Sequence, residues 1–168
     1  MSSFEKAIQS VLANEGGYVH NPNDPGGETN FGISKRQHPQ VDIKNLTKEA
    51  ATEIYRADYW KPIYDKIQTQ HLATKLLDLS VLSGKGTATS FFQSAIVDVG
   101  PYIPIDGSFG PATLKACNEC NPTDLDHSFG NIMARYHYKI AHDRITSGRY
   151  DRATVAQHLY SWIKRDFA

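Results

Sequence analysis

Apolar residues recur along much of the chain at steps of three and four, the spacing that places side chains on one face of an α-helix. The first such stripe is Phe4, Ile8, Val11 and Leu12. Ser2 followed by Glu5 has the form of a capping box for its start, and Gly16-Gly17 supplies a stop. The pattern predicts a first helix with Glu15 as its last strong position, about three turns beyond Phe4 and near the same stripe. Residues 18–34 break the periodicity. Asn21-Pro22-Asn23-Asp24-Pro25-Gly26-Gly27 is a cluster of turn formers between Tyr18-Val19 and Thr29-Asn30-Phe31-Gly32-Ile33, which predicts a loop with short strand pairing.

From Leu46 onward helical spacing returns. Thr47 is placed to cap a helix with Ala50, Ala51, Ile54 and Tyr55, ending near Tyr59-Trp60 before Pro62. Leu72, Leu76, Leu77 and Leu79 predict another, closed by Gly84 and Gly86. Phe91, Phe92, Ala95, Ile96 and Val99 mark a helix from Thr87 to Val99. A loop follows at Pro101, Pro104 and Gly107, and Pro111 suits the first turn of a short helix. Thr123 or Asp124 is expected to cap a long helix through Phe129, Ile132, Met133, Tyr136 and Ile140, with Gly148 as its stop. Thr154 to Phe167 predicts a last amphipathic helix, with Tyr160 and Trp162 assigned to the core. No internal repeat or low-complexity linker interrupts the chain. The expectation is one mainly α domain over 1–168, with a small loop and β-hairpin region after the first helix.

Composition narrows the class. A chain of 168 residues is long enough to bury a real core without staples. Its 18 basic and 18 acidic side chains balance to zero net charge, which argues against nucleic acid and against electrostatic membrane binding. No apolar run approaches a membrane span, and Met1-Ser2-Ser3-Phe4-Glu5-Lys6 lacks the form of a signal peptide. Cys117 and Cys120 make one CxxC pair, too few ligands for a structural zinc site, and are read as ordinary free thiols. His137 and His142 are five apart and do not align as i,i+4 ligands. No metal and no cofactor is expected, and the chain is expected to be a monomer.

The densest polar region is Glu15, Asp24, Glu28 and Thr29. A carboxyl at the end of an apolar helix can be partly desolvated and kept protonated as a general acid. One in a polar loop stays ionised. Glycoside hydrolysis requires that division of labour, and Thr29 offers a hydroxyl able to hold water. Taken alone, the same residues also fit a solvated helix end and an Asx turn.

A longer pattern bears on that choice. Asn14-Glu15-Gly16-Gly17-Tyr18-Val19, then Asn23-Asp24-Pro25-Gly26-Gly27-Glu28-Thr29-Asn30-Phe31-Gly32-Ile33-Ser34, resembles the signature of glycoside hydrolase family 108, lysozyme-like N-acetylmuramidases of phages and bacteria. Tyr55-Arg56 with Tyr59-Trp60, and Asp78 with Ser83-Gly84, resemble the same family. Asp106-Gly107-Ser108-Phe109-Gly110-Pro111-Ala112-Thr113 is similar to its C-terminal part, a predicted peptidoglycan-binding region. The resemblance implies a lysozyme-like fold, with a catalytic part at 1–80 and a helical, peptidoglycan-binding part at 81–168. It implies Glu15 as catalytic acid. The order Glu15, Asp24, Thr29 also looks like the Glu, Asp, Thr triad of phage T4-type lysozymes, with the Asp–Thr step one residue shorter here.

Tyr18, Glu28, Asn30, Phe31, Tyr59 and Trp60 are the candidate sugar contacts, with His20 and His38 flanking the loop as surface residues. The implied substrate is the glycan strand of peptidoglycan, cut at the β-1,4 bond between N-acetylmuramic acid and N-acetylglucosamine. A lytic transglycosylase and a non-catalytic cell-wall-binding protein are the alternatives. The resemblance, with no signal peptide in view, suggests a phage endolysin held in the host cytoplasm until a holin opens the membrane.

Overall fold

A computed structural model describes residues 1–14, 17–20, 27–148 and 151–166. The chain divides into two compact units, Met1–Asp78 and Leu79–Ala168. As expected it is mainly helical, with one small sheet. No described helix is long and apolar enough to cross a membrane.

The first unit opens with α1 (Phe4–Asn14). Its apolar stripe is buried, with Phe4, Ile8, Val11 and Leu12 all in the core. The capping differs from the expected Ser2–Glu5 box. Ser3 Oγ accepts from the Lys6 backbone N–H at 3.4 Å. Ser2 is buried instead, its amide donating to the Ile67 carbonyl at 2.9 Å and its hydroxyl to the Tyr64 carbonyl. A capping serine one position later frees Ser2 to tie the chain start to the segment that precedes the next long helix.

Three short strands follow, β1 (Val19–His20), β2 (Glu28–Asn30) and β3 (Ile33–Ser34), antiparallel in the order β1-β2-β3. Val19 pairs with Thr29 and His20 with Glu28. Thr29 pairs with Ser34 and Asn30 with Ile33. The strand pairing expected after the first helix is therefore present, with β2 in the middle. Next, α2 (Lys48–Tyr59) is capped by Thr47, which accepts from the Ala50 N–H at 3.2 Å. A 3-10 helix (Pro62–Lys66) leads to α3 (Gln70–Ser83), within which the unit boundary falls.

The second unit contains α4 (Lys85–Val99), α5 (Pro111–Glu119), α6 (Pro122–Thr146) and α7 (Arg152–Asp166). Gly86 lies inside α4 rather than closing the previous helix; Gly84, at φ 84°, makes the break alone. The cap of α6 is Asn121, whose side chain accepts from the Thr123 and Asp124 N–H groups. With Pro122 at the first helical position, the helix begins earlier than Thr123 or Asp124 would have started it. Phe92 sits at the centre of this core, edge-on to Phe129 at 5.0 Å and stacked near Phe109 at 6.0 Å. Trp162 packs beside His137 with centroids 5.2 Å apart, but Tyr160 is 73% exposed and not in the core. Tyr160 lies two positions from Trp162, about 200° round a helix, so one helix cannot bury both against the same neighbour.

Candidate functional site

Of the described site candidates, Tyr18, Glu28, Thr29, Asn30 and Phe31 lie on or next to the sheet of the first unit, and Tyr59 and Trp60 lie at the end of α2. Glu15 and Asp24, the proposed acid and its partner carboxylate, lie outside the described residues. Thr29 lies at the centre of β2, flanked by Val19 on one neighbouring strand and Ser34 on the other. Side chains alternate faces along a strand, so Thr29 shares a face with Val19 and Ser34. On this face Val19 is exposed, while Thr29 and Ser34 are half-buried.

Glu28 and Asn30 project to the opposite face. Asn30 is buried, and its Nδ2 donates to the Ile43 carbonyl at 3.1 Å and the Leu46 carbonyl at 3.4 Å. It anchors the segment after β3 beneath the sheet. Glu28 is half-buried and lies beside Tyr18. The Tyr18 phenol has its pKa raised, first by desolvation and then by the charge and hydrogen bond of Glu28, with Asp42 adding to it. At neutral pH Tyr18 therefore keeps its proton and donates to Glu28. Tyr18 is 40% exposed, enough for its ring to meet a sugar face.

Phe31 and Gly32 form the two-residue turn between β2 and β3, with φ of 49° and 75°. Two successive positive φ values characterise the type I′ hairpin turn. The turn is tied to α2 by Tyr55, whose hydroxyl donates to the Phe31 carbonyl at 2.9 Å. Tyr55 then lies near Tyr59, rings tilted at 5.9 Å. Burial first, and the neighbouring Asp58 charge second, raise the Tyr59 pKa, so its phenol is a donor. His38, beyond the sheet, pairs with Asp58 at 3.2 Å and links its loop to α2.

Trp60 takes a different part from the stacking surface expected of it. It is 9% exposed, edge-on to Phe4 at 5.5 Å and to Tyr64 at 5.4 Å, and its Nε1 donates to Asp65 at 3.0 Å. Its ring belongs to the core. The motif Tyr55-Arg56 likewise contributes structure: Arg56 Nη2 meets Glu5 Oε1 at 2.7 Å and its guanidinium covers the Phe4 ring at 4.2 Å.

In the second unit, the stretch Asp106 to Thr113 is wired to one side chain that the sequence reading passed over. Gln93 is 1% exposed. Its Oε1 accepts from the Asp106 and Gly107 amides at 3.0 and 2.9 Å. Its Nε2 donates to Asp106 Oδ1 at 2.8 Å, and to the Ser108 carbonyl and Thr113 Oγ1 at 3.2 Å each. The clue in the sequence is a lone amide between Phe92 and Ala95-Ile96, inside an apolar stripe. Gly107, at φ 70°, sits where an added Cβ would lie 3.0 Å from the Gly86 carbonyl oxygen. The glycine of this motif is thus required by both dihedral and space. Cys117 and Cys120 are both buried free thiols. Among the described residues no group of three His, Cys, Asp or Glu is placed to hold a metal.

Two family models match the chain. Residues 8–84 match the family model described as Glycosyl hydrolase 108. Residues 87–167 match the model described as Predicted Peptidoglycan domain. Among solved structures the chain is similar to SagA of Brucella abortus, at 26% identity over 95% of each chain with a TM-score of 0.66. No curated protein matches the chain.

Proposed function

We propose that this chain, which belongs to the glycosyl hydrolase 108 family through residues 8–84, is an N-acetylmuramidase. Membership supports glycoside hydrolase activity, and the match of residues 87–167 to a peptidoglycan domain supports peptidoglycan as the substrate. The finer assignment is the bond and the residues. The enzyme cuts the β-1,4 linkage between N-acetylmuramic acid and N-acetylglucosamine, acting as a monomer.

Glu15 protonates the glycosidic oxygen as the bond breaks. Asp24 activates water, and Thr29 orients it with its hydroxyl. The observation that carries this reading is the position of Thr29. It sits on the central strand of the sheet that follows α1 in the chain, half-buried, held by partners on both sides and on the face it shares with exposed Val19. The ladder fixes the backbone that presents this hydroxyl, and a fixed mount is what orientation of a small nucleophile demands. Phe31 and Tyr59, at the β2–β3 turn and on α2, supply aromatic surface and a phenolic donor to the sugar; Tyr18, held by Glu28 on the other face of β2, offers a further contact at the edge of the sheet. A water-activating carboxylate implies inversion, with the two carboxyl groups roughly 6.5–9.5 Å apart.

The setting we propose is phage-induced lysis, with the enzyme kept in the host cytoplasm until a holin opens the membrane. The family resemblance supports it.

Product analysis on purified peptidoglycan tests the chemistry. A muramidase releases reducing N-acetylmuramic acid ends, and Glu15→Gln abolishes release while leaving the circular dichroism spectrum unchanged. A 1,6-anhydro product would instead identify a lytic transglycosylase, and binding to sacculi without new reducing ends a cell-wall-binding protein.

A further inference from the structure

The second unit carries a cavity of about 610 Å³, within the roughly 300–1,000 Å³ range of small-ligand sites. It is formed by one stripe of α6 facing Phe91 of α4. Ile132, Tyr136 and Ile140 give it an apolar floor, closed by the edge-on contact of Phe91 with Tyr136 at 5.0 Å. Arg135, Lys139 and Asp143 form its polar edge. These six α6 positions follow the i, i+3, i+4, i+7, i+8, i+11 rule of a single helix face. Arg135 and Lys139 are exposed, and neither makes an ion pair with a described residue. Asp143 is 3.6 Å from His142.

We infer that this groove binds the stem peptide of peptidoglycan, an acidic peptide, rather than the glycan strand. The inference rests on the peptidoglycan reading above and specifies which part of the polymer the second unit holds. Charge complementarity decides the occupant. In a substituted strand the lactyl carboxyl of N-acetylmuramic acid is consumed in the amide bond to the peptide, so the glycan has no free carboxylate for two adjacent cations. The stem peptide has them, on its γ-linked glutamate and its C-terminus. Arg135 and Lys139 receive these carboxylates, with alanine methyl groups against Phe91, Ile132 and Ile140. Asp143 takes the ammonium of the diamino acid. Arg135 and Asp143 are eight residues apart, about 12 Å along the helix, and four extended residues span at most about 13–14 Å. A tetrapeptide therefore reaches both ends.

The test is calorimetric titration of the full chain at low salt with the synthetic tetrapeptide L-alanyl-γ-D-glutamyl-diaminopimelyl-D-alanine. Wild type binds it, and Arg135→Glu with Lys139→Glu weakens binding at least about tenfold at an unchanged melting temperature. Ile140→Glu, which blocks the apolar floor, weakens it independently. Three results would overturn the assignment. One is no measurable binding to wild type. Another is equal weakening by Lys115→Glu, on α5 outside the groove. The third is displacement of the peptide by a peptide-free glycan oligomer. Cleavage of that oligomer by wild type is measured separately. Peptide binding without cleavage sinks the muramidase reading and leaves the groove; cleavage without peptide binding does the reverse.

Discussion

The Tyr55 hydroxyl donates to the Phe31 carbonyl across 2.9 Å, joining α2 to the β2–β3 turn. Phe31 occupies the left-handed region at φ 49°, which for an aromatic residue is an outlier. Such a conformation costs about 1–3 kcal/mol and persists where the surroundings over-determine it. Here the fixing contacts are the ladder of β2 and β3 on either side and the Tyr55 bond above. The turn begins two residues after Thr29, so whatever holds Phe31 also holds the strand that presents Thr29.

Tyr55→Phe should therefore affect catalysis more than stability. Removing one hydrogen bond to a backbone carbonyl costs about 0.5–1.5 kcal/mol, which for a chain of this size lowers Tm by about 2–4 °C per kcal/mol. Well below Tm, kcat/KM on peptidoglycan should drop by at least about tenfold as the turn loosens. Equal activity in the two proteins at 25 °C would show that the tether is structural only.

How much of this was legible in the sequence differs from residue to residue. Phe4, Ile8, Val11 and Leu12 announced α1 because a one-sided helix writes its face into a 3.6-residue period. The turn formers flanking Thr29 announced the sheet region for a similar local reason. Trp60 and Asn30 could not be placed that way. Both are amphipathic or polar side chains that read as candidate sugar contacts, and only tertiary packing against Phe4, Tyr64, Ile43 and Leu46 decides that they face inward. Ser2 and Ser3 are both competent caps, and the choice between them follows from Ser2 finding partners at Tyr64 and Ile67, more than sixty residues away. The Asp106 to Thr113 motif was visible as a motif. Gln93 stands out only as an amide inside an apolar stripe; that it holds this motif is not legible, because its partners lie 13 to 20 residues further along the chain.

Gln93→Leu should unravel that motif. The substitution keeps the volume but leaves the Asp106 and Gly107 amides without their acceptor. Fully buried donors left unpaired cost about 1–3 kcal/mol each; Asp106 is exposed and Gly107 half-buried, so water replaces part of the loss and the expected destabilisation is about 1–2 kcal/mol in total. Chemical denaturation measures it. Retention on insoluble peptidoglycan should weaken in parallel; a variant as stable as wild type would show that Gln93 is replaceable.

The Glu5–Arg56 pair makes a pH-dependent prediction. The Arg56 hydrogen bond, followed by a backbone hydrogen bond, lowers the Glu5 pKa below its ordinary value. A carboxyl whose folded pKa is depressed adds stability above its unfolded pKa of about 4.3. That contribution is lost as pH falls through the folded value. Glu5→Gln should thus melt slightly below wild type at pH 7 in low salt, and the two curves should converge on acidification. Because the pair is exposed, high salt should also close the gap. A gap that widens in acid would reverse the assigned sign.

Gly100 and Cys120 make the sharpest packing prediction. A Cβ added at Gly100 would collide with Cys120 Sγ and approach the Ile96 carbonyl oxygen to 3.1 Å. The Gly100 backbone is extended, with φ −148°, so alanine suffers there from space and not from its dihedral angles. Overpacking of this kind costs about 1–3 kcal/mol. Truncating the sulfur removes the worse of the two clashes. Gly100→Ala should therefore be destabilising alone and largely, though not fully, rescued by Cys120→Ala, with a coupling of about 1 kcal/mol or more in a double-mutant cycle. The same packing silences the thiols. Burial first, and the neighbouring Cys120 second, push Cys117 up to about 12, and burial followed by the Glu119 charge raises Cys120. Since the thiolate is the reactive form, native protein at pH 8 should resist alkylation at both cysteines, and unfolding in denaturant should expose both. Rapid labelling of Cys120 in the native wild type would mean that the sulfur leaves the pocket facing Gly100, and Cys120→Ala would then fail to rescue Gly100→Ala.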